Sequence, residues 1–322
     1  MRTARCLLLV AGLLAGTAAN AKEFSSSDNE ARDAPTVMAI EYIGKLVRER
    51  TRGRHSIALP GPDESKSELF TIGELRNGTL DMARLSVAAF NSSVPSTAVL
   101  SLPYLFRSAE HTRRVLDGPI GEDILAAFDS QGLVALCFYE TGTRSIYTTK
   151  KPVRRPSDLQ GVKLRVQESR VAVATARALG ATAVPLPYNQ VYSHLAGGTI
   201  DGAENSLLSY VGSRHYQAAK YLSLTEHSQA PAVLVFSKRT WSTLSPDDQA
   251  VIRAAARESV AYLRKLWEER EAAARATILS FGGQIIGEVD KRAFIAILEP
   301  MHGAMAPDLK QQALVQRIRD AQ

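Results

Sequence analysis

Hydrophobic and polar positions along the chain follow two different periods. Between residues 35 and 50 the apolar side chains recur every three or four positions, which predicts an amphipathic helix. In the stretch GVKLRVQES, residues 161–169, the apolar residues Val162, Leu164 and Val166 alternate with polar ones, which predicts a short half-buried strand. Both signals alternate up to about residue 138 and again from about residue 144. This alternation predicts α/β units over a mainly parallel sheet.

The last third of the chain carries one long helical signal. Ser245 is suited to an N-cap and Pro246 to the first helical position, and Asp247 and Asp248 place negative charge where it complements the helix dipole. An apolar stripe continues from there toward Gly282. A helix of this length, roughly 50 Å at about 1.5 Å per residue, is long enough to brace two lobes.

Two segments of the chain resemble each other. LRNGTLD at residues 75–81 and LAGGTID at residues 195–201 each combine a helix end, a glycine stop and Thr-(Leu/Ile)-Asp before the next strand. Helix–glycine–strand joints are frequent in α/β proteins, so coincidence and a true repeat both stay open. A true repeat would place two similar lobes face to face.

The N-terminus has the features of a secretory signal peptide. Arg2 and Arg5 precede an apolar run at residues 6–16, and Ala19-Asn20-Ala21 forms an A-x-A cleavage site. The run is well short of the roughly 20 residues that a membrane-spanning helix needs. We therefore expect residues 1–21 to be removed after Ala21, leaving an exported, soluble chain that begins at Lys22.

Cysteine content and charge argue against a disulfide-stabilised fold and against a nucleic-acid partner. Cys6 would leave with the signal peptide, so Cys137, inside an apolar stretch, is predicted to be a buried thiol without a disulfide partner. The net charge of +6 falls by two when Arg2 and Arg5 are removed, and the basic residues are scattered without interleaved aromatic residues. A nucleic-acid partner is therefore not expected.

Motifs for common catalytic and cofactor sites do not occur in the sequence. The six histidines lack the spacing of a zinc site, and the chain contains no Cys-x-x-Cys, G-x-S-x-G, phosphate loop or G-x-G-x-x-G. We expect no metal, no cofactor and no enzymatic activity. An enzyme that uses a carboxylate pair stays open as an alternative.

Three blocks in order along the chain carry a resemblance to a known family. They are LPYLF at residues 102–106, DLQGVKLRV at residues 158–166 and GTIDGAEN at residues 198–205. In this order and spacing, over nearly the whole mature chain, they resemble the solute-binding proteins of TRAP transporters, the tripartite sodium-driven importers of organic acids.

The resemblance implies a fold and a setting for the protein. The expected fold is an α/β periplasmic binding protein of the two-lobe, type II-like kind, with a ligand cleft between the lobes and a long C-terminal bracing helix. Residues 22–141 with about 231–270 would form the first lobe, and 142–230 with about 271–322 the second. The protein would be a periplasmic monomer that delivers its ligand to the small and large membrane permease subunits.

The resemblance also implies roles for residues of the second lobe. The family's arginine at the position of Arg165 holds the ligand carboxylate in a bidentate pair, and Arg144 and Asn205 match the residues that complete the polar site. Taken alone, Arg165 could be a solvated strand residue, Arg144 a domain-linking ion pair and Asn205 a turn cap. Glu168 matches a hydroxyl-reading residue or caps the next helix. Tyr188 matches the aromatic residue that covers the ligand, or belongs to the core.

The first lobe is expected to contribute a second group of ligand-binding residues. They are Ser27, Asp28, Arg84, Ser86 and Asn91, with an exposed loop as the alternative for each. Features near Asp28, Gly118 and Trp267 resemble family members that bind sugar acids such as glucuronate and galacturonate. C4-dicarboxylates, 2-oxo acids and aldonates are the alternative ligands.

Overall fold

Two β-sheets, each covered by helices on both faces, form the two lobes of the protein. The computed structural model describes residues 21–59, 67–229 and 231–321, so the predicted signal segment before Ala21 lies outside the described residues. The strands are β1 (Lys22–Phe24), β2 (Ser26–Ser27), β3 (His55–Ile57), β4 (Met82–Ser86), β5 (Leu133–Tyr139), β6 (Arg144–Thr148), β7 (Lys163–Val166), β8 (Thr182–Pro185), β9 (Gly202–Ser206), β10 (Tyr221–Ser228), β11 (Ala232–Ser237) and β12 (Gln284–Ile286).

Helices connect these strands and cover the sheets. They are α1 (Pro35–Arg50), α2 (Glu68–Asn77), α3 (Ser96–Leu100), α4 (Ala109–Asp117), α5 (Pro119–Ala126), α6 (Arg170–Ala178), α7 (Val191–Ala196), α8 (Leu207–Gly212), α9 (His215–Ala218), α10 (Lys238–Trp241), α11 (Pro246–Ser280), α12 (Lys291–Leu298), α13 (Met301–Met305) and α14 (Leu309–Asp320). The predicted helix at residues 35–50 and the predicted strand within residues 161–169 are both confirmed as α1 and β7.

Both sheets are mainly parallel, as predicted, but in each sheet one strand, β11 or β6, runs opposite to the rest. The first lobe has the order β2-β4-β11-β5, the second has the order β12-β10-β6-β9-β7-β8, and a small parallel pair joins β1 to β3. The antiparallel pairings all involve strands of the two connections between lobes, β5 to β6 and β10 to β11. The chain enters β6 and β11 directly from the other lobe instead of returning through a helix, so these two strands run opposite to their neighbours.

Alternation along the central strands supplies a core to both faces of each sheet. In β11, Val233 and Val235 pack against one hydrophobic cluster, whereas Leu234 and Phe236 pack against the other. Cys137 of β5 is buried, as predicted, and forms no disulfide within residues 21–321 as described, and burial raises the pKa of its thiol. Two further clusters cover the faces of the second sheet.

Helix α11 braces both lobes, as its length predicted. It begins as expected, with the Ser245 hydroxyl accepting a hydrogen bond from the Asp248 amide at 3.1 Å. Its N-terminal half, including Ile252 and Leu263, packs in the first lobe, and Ile278 near its end packs in the second. No helix in the described part of the chain is both long and apolar enough to cross a membrane.

The two similar segments adopt the same turn. The Thr79 amide donates to the Glu74 carbonyl at 3.0 Å and the Thr199 amide to the His194 carbonyl at 3.1 Å, each around a glycine with positive φ. The aspartate that follows is used alike in both lobes: Asp81 accepts from the Ser25 amide at 2.9 Å and Asp201 from the Lys163 amide at 3.0 Å.

The predicted lobe boundaries stay a prediction, but one helix favours a different assignment. Leu314, Val315 and Ile318 of α14 pack in the cluster formed by residues of the first lobe such as Leu75 and Phe128. This places the side chains of residues 309–320 against the first lobe, although the predicted boundary assigns them to the second.

Candidate functional site

A cavity between the lobes lies at the carboxyl ends of β4, β7 and β9. In open α/β sheets this is where ligands bind. Polar and charged side chains dominate its lining: Asn29, Glu30, Glu68, Arg84 and Ser86 from the first lobe, and Arg144, Arg165, Gln167, Glu168, Tyr188, Asn205 and Ser209 from the second. Seven of the ten predicted ligand-binding residues are among them.

Arg165 lines this cavity as a buried cation that forms no ion pair with any residue the structure describes. It is 3% exposed, so it is not a solvated strand residue. The Leu186 carbonyl accepts from Nε at 2.9 Å and from Nη2 at 2.6 Å, which occupies one edge of the guanidinium. Within the described residues, Nη1 has no hydrogen-bond partner and the side chain forms no ion pair. Burial lowers the pKa of Arg165, and the Nη1–Nη2 edge stays available for a bidentate carboxylate.

Arg144 differs from Arg165 because a carboxylate already neutralises it. Glu204 on the neighbouring strand accepts from its Nε at 2.5 Å and its Nη2 at 2.9 Å. Burial opposes a raised pKa for Arg144, but the charge of Glu204 and its hydrogen bonds together outweigh burial, so the pKa is raised. Both partners belong to the second sheet, so this ion pair does not link the lobes.

Arg84 is neutralised in the same way in the first lobe. Its guanidinium forms a buried salt bridge with Asp28, in which Nε donates to Oδ2 at 3.1 Å. Here too burial opposes and the aspartate charge raises the pKa. Of the three cavity arginines, Arg165 is therefore the one that a bound anion would neutralise.

Asn205 and Tyr188 line the same cavity as Arg165. The Asn205 Oδ1 accepts from Arg144 Nη1 and from the Ser206 amide, both at 2.8 Å, while its amide nitrogen has no partner among the described residues. This nitrogen can donate to a ligand oxygen. Tyr188 is half-buried and lines the cavity, so it is not a core residue.

Four side-chain hydrogen bonds join the lobes around the cavity. Glu30 accepts from the Tyr188 hydroxyl at 3.0 Å and from the Ser209 hydroxyl at 2.7 Å. Gln167 donates to the Ser86 hydroxyl at 2.9 Å. The Asn91 amide donates to the Ser169 hydroxyl at 2.8 Å. These contacts hold the lobes in a closed arrangement.

Three predicted residues do not line the cavity. Ser27 pairs along β2 with Ala83, Asp28 is placed behind Arg84, and Asn91 is 8% exposed within the hydrogen-bonded group at the lobe contact. Glu168 lines the cavity and is not the cap of α6, because Ser169 fills that position. The roles of all ten residues toward a ligand stay predictions.

Sequence reasoning missed several cavity residues. They are Asn29, Glu30, Glu68, Gln167 and Ser209, which come from loops, element ends and the short helix α8, where polar residues are normally assigned to the surface. Gln167 follows Arg165 on the same strand face, and this period of two is the one signal that could have identified it. Glu30 and Glu68 are half-buried, and burial raises the pKa of both carboxyl groups.

The described residues include no group of three or more His, Cys, Asp or Glu side chains that could hold a metal ion. A two-lobe α/β protein with a polar cavity between its lobes, and with a buried guanidinium there that no described carboxylate neutralises, has the arrangement of a solute-binding protein for an anion. The chain belongs to the DctP family, bacterial extracellular solute-binding protein family 7, whose model matches residues 26–308. The resemblance to TRAP solute-binding proteins is thereby confirmed, and binding proteins of this family are periplasmic.

Solved structures and a curated relative support the same assignment. A TRAP periplasmic solute-binding protein from Bradyrhizobium sp. BTAi1, in complex with α/β-D-galacturonate, is 44% identical with a TM-score of 0.91, covering 93% of this chain and 100% of that one. One from Xanthobacter autotrophicus Py2 with bound β-D-galacturonate is 41% identical with a TM-score of 0.90 and the same coverage. A solute-binding protein of Chromohalobacter salexigens is 37% identical over 89% of this chain and 86% of its own.

Proposed function

We propose that this protein captures a hexuronate, such as D-galacturonate or D-glucuronate, and delivers it to the small and large permease subunits of a TRAP transporter for sodium-driven uptake. The observation that carries the proposal is the buried, unneutralised guanidinium of Arg165 in the cavity between the lobes. Several similar structures hold a bound uronate. Two of them, each more than 40% identical to this chain, hold D-galacturonate.

The cavity supplies groups for both parts of such a ligand. Arg165 pairs with the carboxylate through its Nη1–Nη2 edge, and the amide nitrogen of Asn205 donates to a ligand oxygen. Arg144 orients Asn205 through the hydrogen bond to its Oδ1. Glu168 and Ser86 contact hydroxyls, and Tyr188 covers the sugar. Arg84 with Asp28 shapes the first-lobe wall, and Ser27 and Asn91 support that wall from behind.

A thermal-shift screen tests this proposal directly. Hexuronates, aldonates, C4-dicarboxylates and 2-oxo acids are compared at equal concentration, since a ligand that binds the folded state raises the melting temperature. We expect the largest increase for D-galacturonate or D-glucuronate. A larger increase for a C4-dicarboxylate or 2-oxo acid would contradict the assignment to uronates.

The same preparation separates a binding protein from an enzyme. A catalyst present in small amounts would convert its acid over a long incubation, whereas a binding protein returns the acid unchanged. We expect full recovery of unchanged D-galacturonate by chromatography. Accumulation of a product that depends on the protein would favour the enzymatic alternative.

Closure of the lobes over the ligand is part of the proposed function. The hinge would lie in the connections at residues 140–143 and 230–235, of which residue 230 lies outside the described residues, with α11 as the brace. Small-angle scattering with and without D-galacturonate should show a smaller radius of gyration in the bound protein. Coincident profiles would contradict the hinge.

Export is proposed with cleavage after Ala21. Mass spectrometry of the protein recovered from the periplasm should give a chain that begins at Lys22. A retained Met1 or a lipid adduct would contradict this site.

A further inference from the structure

We propose that Glu68 makes the cavity selective for acids with one carboxylate and several hydroxyls, by accepting a hydrogen bond from a ligand hydroxyl and repelling a second ligand carboxylate. This inference rests on the proposed function of sugar-acid capture and names the feature of the site that would define its ligand class.

Glu68 lines the cavity, and one of its two carboxylate oxygens accepts no hydrogen bond from the described residues. It is the first residue of α2, capped by the Ser67 hydroxyl, which accepts from the Phe70 amide at 3.2 Å. Its Oε1 accepts from the Ser86 amide at 2.7 Å, which fixes the side chain against the cavity wall. Its Oε2 has no hydrogen-bond partner in the described ranges. A carboxylate is an acceptor only, so the natural partner of this oxygen is a donor such as a ligand hydroxyl.

Glu30 is the other cavity carboxylate whose pKa burial raises, but its hydrogen bonds differ from those of Glu68. Both of its oxygens accept from the second lobe, Oε1 from the Ser209 hydroxyl and Oε2 from the Tyr188 hydroxyl. Glu30 therefore joins the lobes for any ligand that closes them. Among the described residues Glu68 forms no hydrogen bond or salt bridge with the second lobe, although the charge of Arg165 reaches it across the cavity, so it can respond to the chemistry of the ligand itself.

The charges around the cavity argue against a dianionic ligand. Asp28 neutralises Arg84 and Glu204 neutralises Arg144, which leaves Arg165 as the unpaired arginine of the cavity. A single ligand carboxylate satisfies it. A second carboxylate would find no further unpaired cation among the described residues of the lining, and it would share a closed cavity with Glu68 and Glu30. Like charges brought together in this way cost several kcal/mol.

Two open-chain acids of equal length isolate the effect of the second carboxylate. D-galactonate and galactarate share six carbons and four secondary hydroxyls, but galactarate carries a carboxylate at both ends. Their affinities are measured by isothermal titration calorimetry, or by displacement of D-galacturonate where the heat is small. We expect the wild type to bind D-galactonate at least about tenfold more tightly than galactarate. Equal affinities, or failure of both acids to displace D-galacturonate, would overturn the proposal.

The substitution Glu68→Gln tests whether this residue is responsible. Glutamine keeps the length of the side chain and an oxygen for the Ser86 amide but removes the charge. The preference for D-galactonate over galactarate should fall to within about threefold. Glu110→Gln removes the same charge from an exposed position of α4, with 84% of the side chain accessible, and should leave the preference unchanged. An undiminished preference in Glu68→Gln would overturn the role of Glu68.

Failure of the proposed function would look different. In that case D-galacturonate and D-glucuronate would not bind the wild type, whereas the ratio between D-galactonate and galactarate would still decide whether the cavity selects for one carboxylate.

Discussion

The three cavity arginines show how similar residues can have opposite consequences for stability. Arg144 and Arg84 each lie against a buried carboxylate, so each belongs to a neutral pair that the fold supplies for itself. Arg165 is equally buried, and no carboxylate in the described part of the chain forms an ion pair with it. Holding an unpaired charge out of water is unfavourable, and this cost is removed when an anion binds.

Two substitutions should therefore shift the stability of the ligand-free protein differently. Glu204→Gln leaves Arg144 buried without its carboxylate and should lower the free energy of unfolding by about 3 to 5 kcal/mol. Arg165→Met removes an unpaired charge and two hydrogen bonds to the Leu186 carbonyl, so stability should stay within about 1 kcal/mol of wild type or rise. Urea unfolding at pH 7.5 measures both. A larger loss for Arg165→Met than for Glu204→Gln would contradict this account.

His215 links stability to pH. Burial, aided by the charge of Arg165, lowers its pKa to about 3, and its Nδ1 lies 2.8 Å from the Tyr147 hydroxyl. The unfolded chain takes up a proton near pH 6.5 that the folded protein does not, so this residue contributes stability above that pH and loses it progressively as the pH falls toward 3.

The change from pH 7.5 to pH 5 should cost about 2 kcal/mol through His215 alone. His215→Gln cannot titrate, so its loss of stability over the same range should be smaller than that of wild type by this amount. Because each protein is compared with itself at two pH values, any packing defect of the variant cancels. Identical pH dependence in the two proteins would show that His215 is not responsible.

Whether a site residue could be predicted from the sequence depends on how it becomes buried. A guanidinium at a family-matched strand position was identifiable, as were Arg144 and Asn205. Glu30 and Glu68 were not, because half-buried acids in loops and first helical turns look like surface residues until the second lobe closes over them. Their role depends on contacts between distant parts of the chain, which no local pattern records.

At the scale of the elements, periodicity predicted α1, β7 and α11, since each buries one face against a continuous core. It did not predict that β6 and β11 run antiparallel to their neighbours in otherwise parallel sheets. Direction within a sheet depends on how the chain crosses between lobes, and the residues of an antiparallel strand buried on both faces look the same as those of a parallel one.

The connection from β5 to β6 offers a test of how tightly α11 fits the hinge. Gly142 has φ of +71°, and a Cβ added there would lie 3.0 Å from Nε1 of Trp267 on α11. Gly142→Ala should therefore lower the free energy of unfolding by about 1 to 3 kcal/mol more than the backbone penalty alone.

Gly132 provides the matched control for this prediction. It has the same φ of +71°, but an added Cβ would meet nothing within 4 Å. Gly132→Ala therefore reports the cost of the left-handed backbone, on the order of 1 to 2 kcal/mol. Equal losses in the two variants, measured by urea unfolding, would mean that Trp267 moves aside and that the hinge is not tightly packed.

At the scale of the whole molecule, the two-lobe architecture was accessible from the order of three sequence blocks and from the long C-terminal helix. The closed state was not, because it depends on hydrogen bonds such as that from Tyr188 to Glu30 between residues far apart in the chain. The packing of α14 against the first lobe was missed for the same reason: its apolar positions predict a buried face without naming the lobe that covers it.

The central claim is that the protein closes over a uronate whose carboxylate pairs with Arg165. Calorimetric titration of D-galacturonate into wild type, Arg165→Lys and Arg165→Ala tests it most directly. Removing one partner of a buried charge pair costs roughly 2 to 5 kcal/mol, so Arg165→Ala should bind about 30-fold to several thousand-fold more weakly. Arg165→Lys should fall between, because lysine restores the charge without the planar fork. Binding by Arg165→Ala within a few-fold of wild type would contradict the claim.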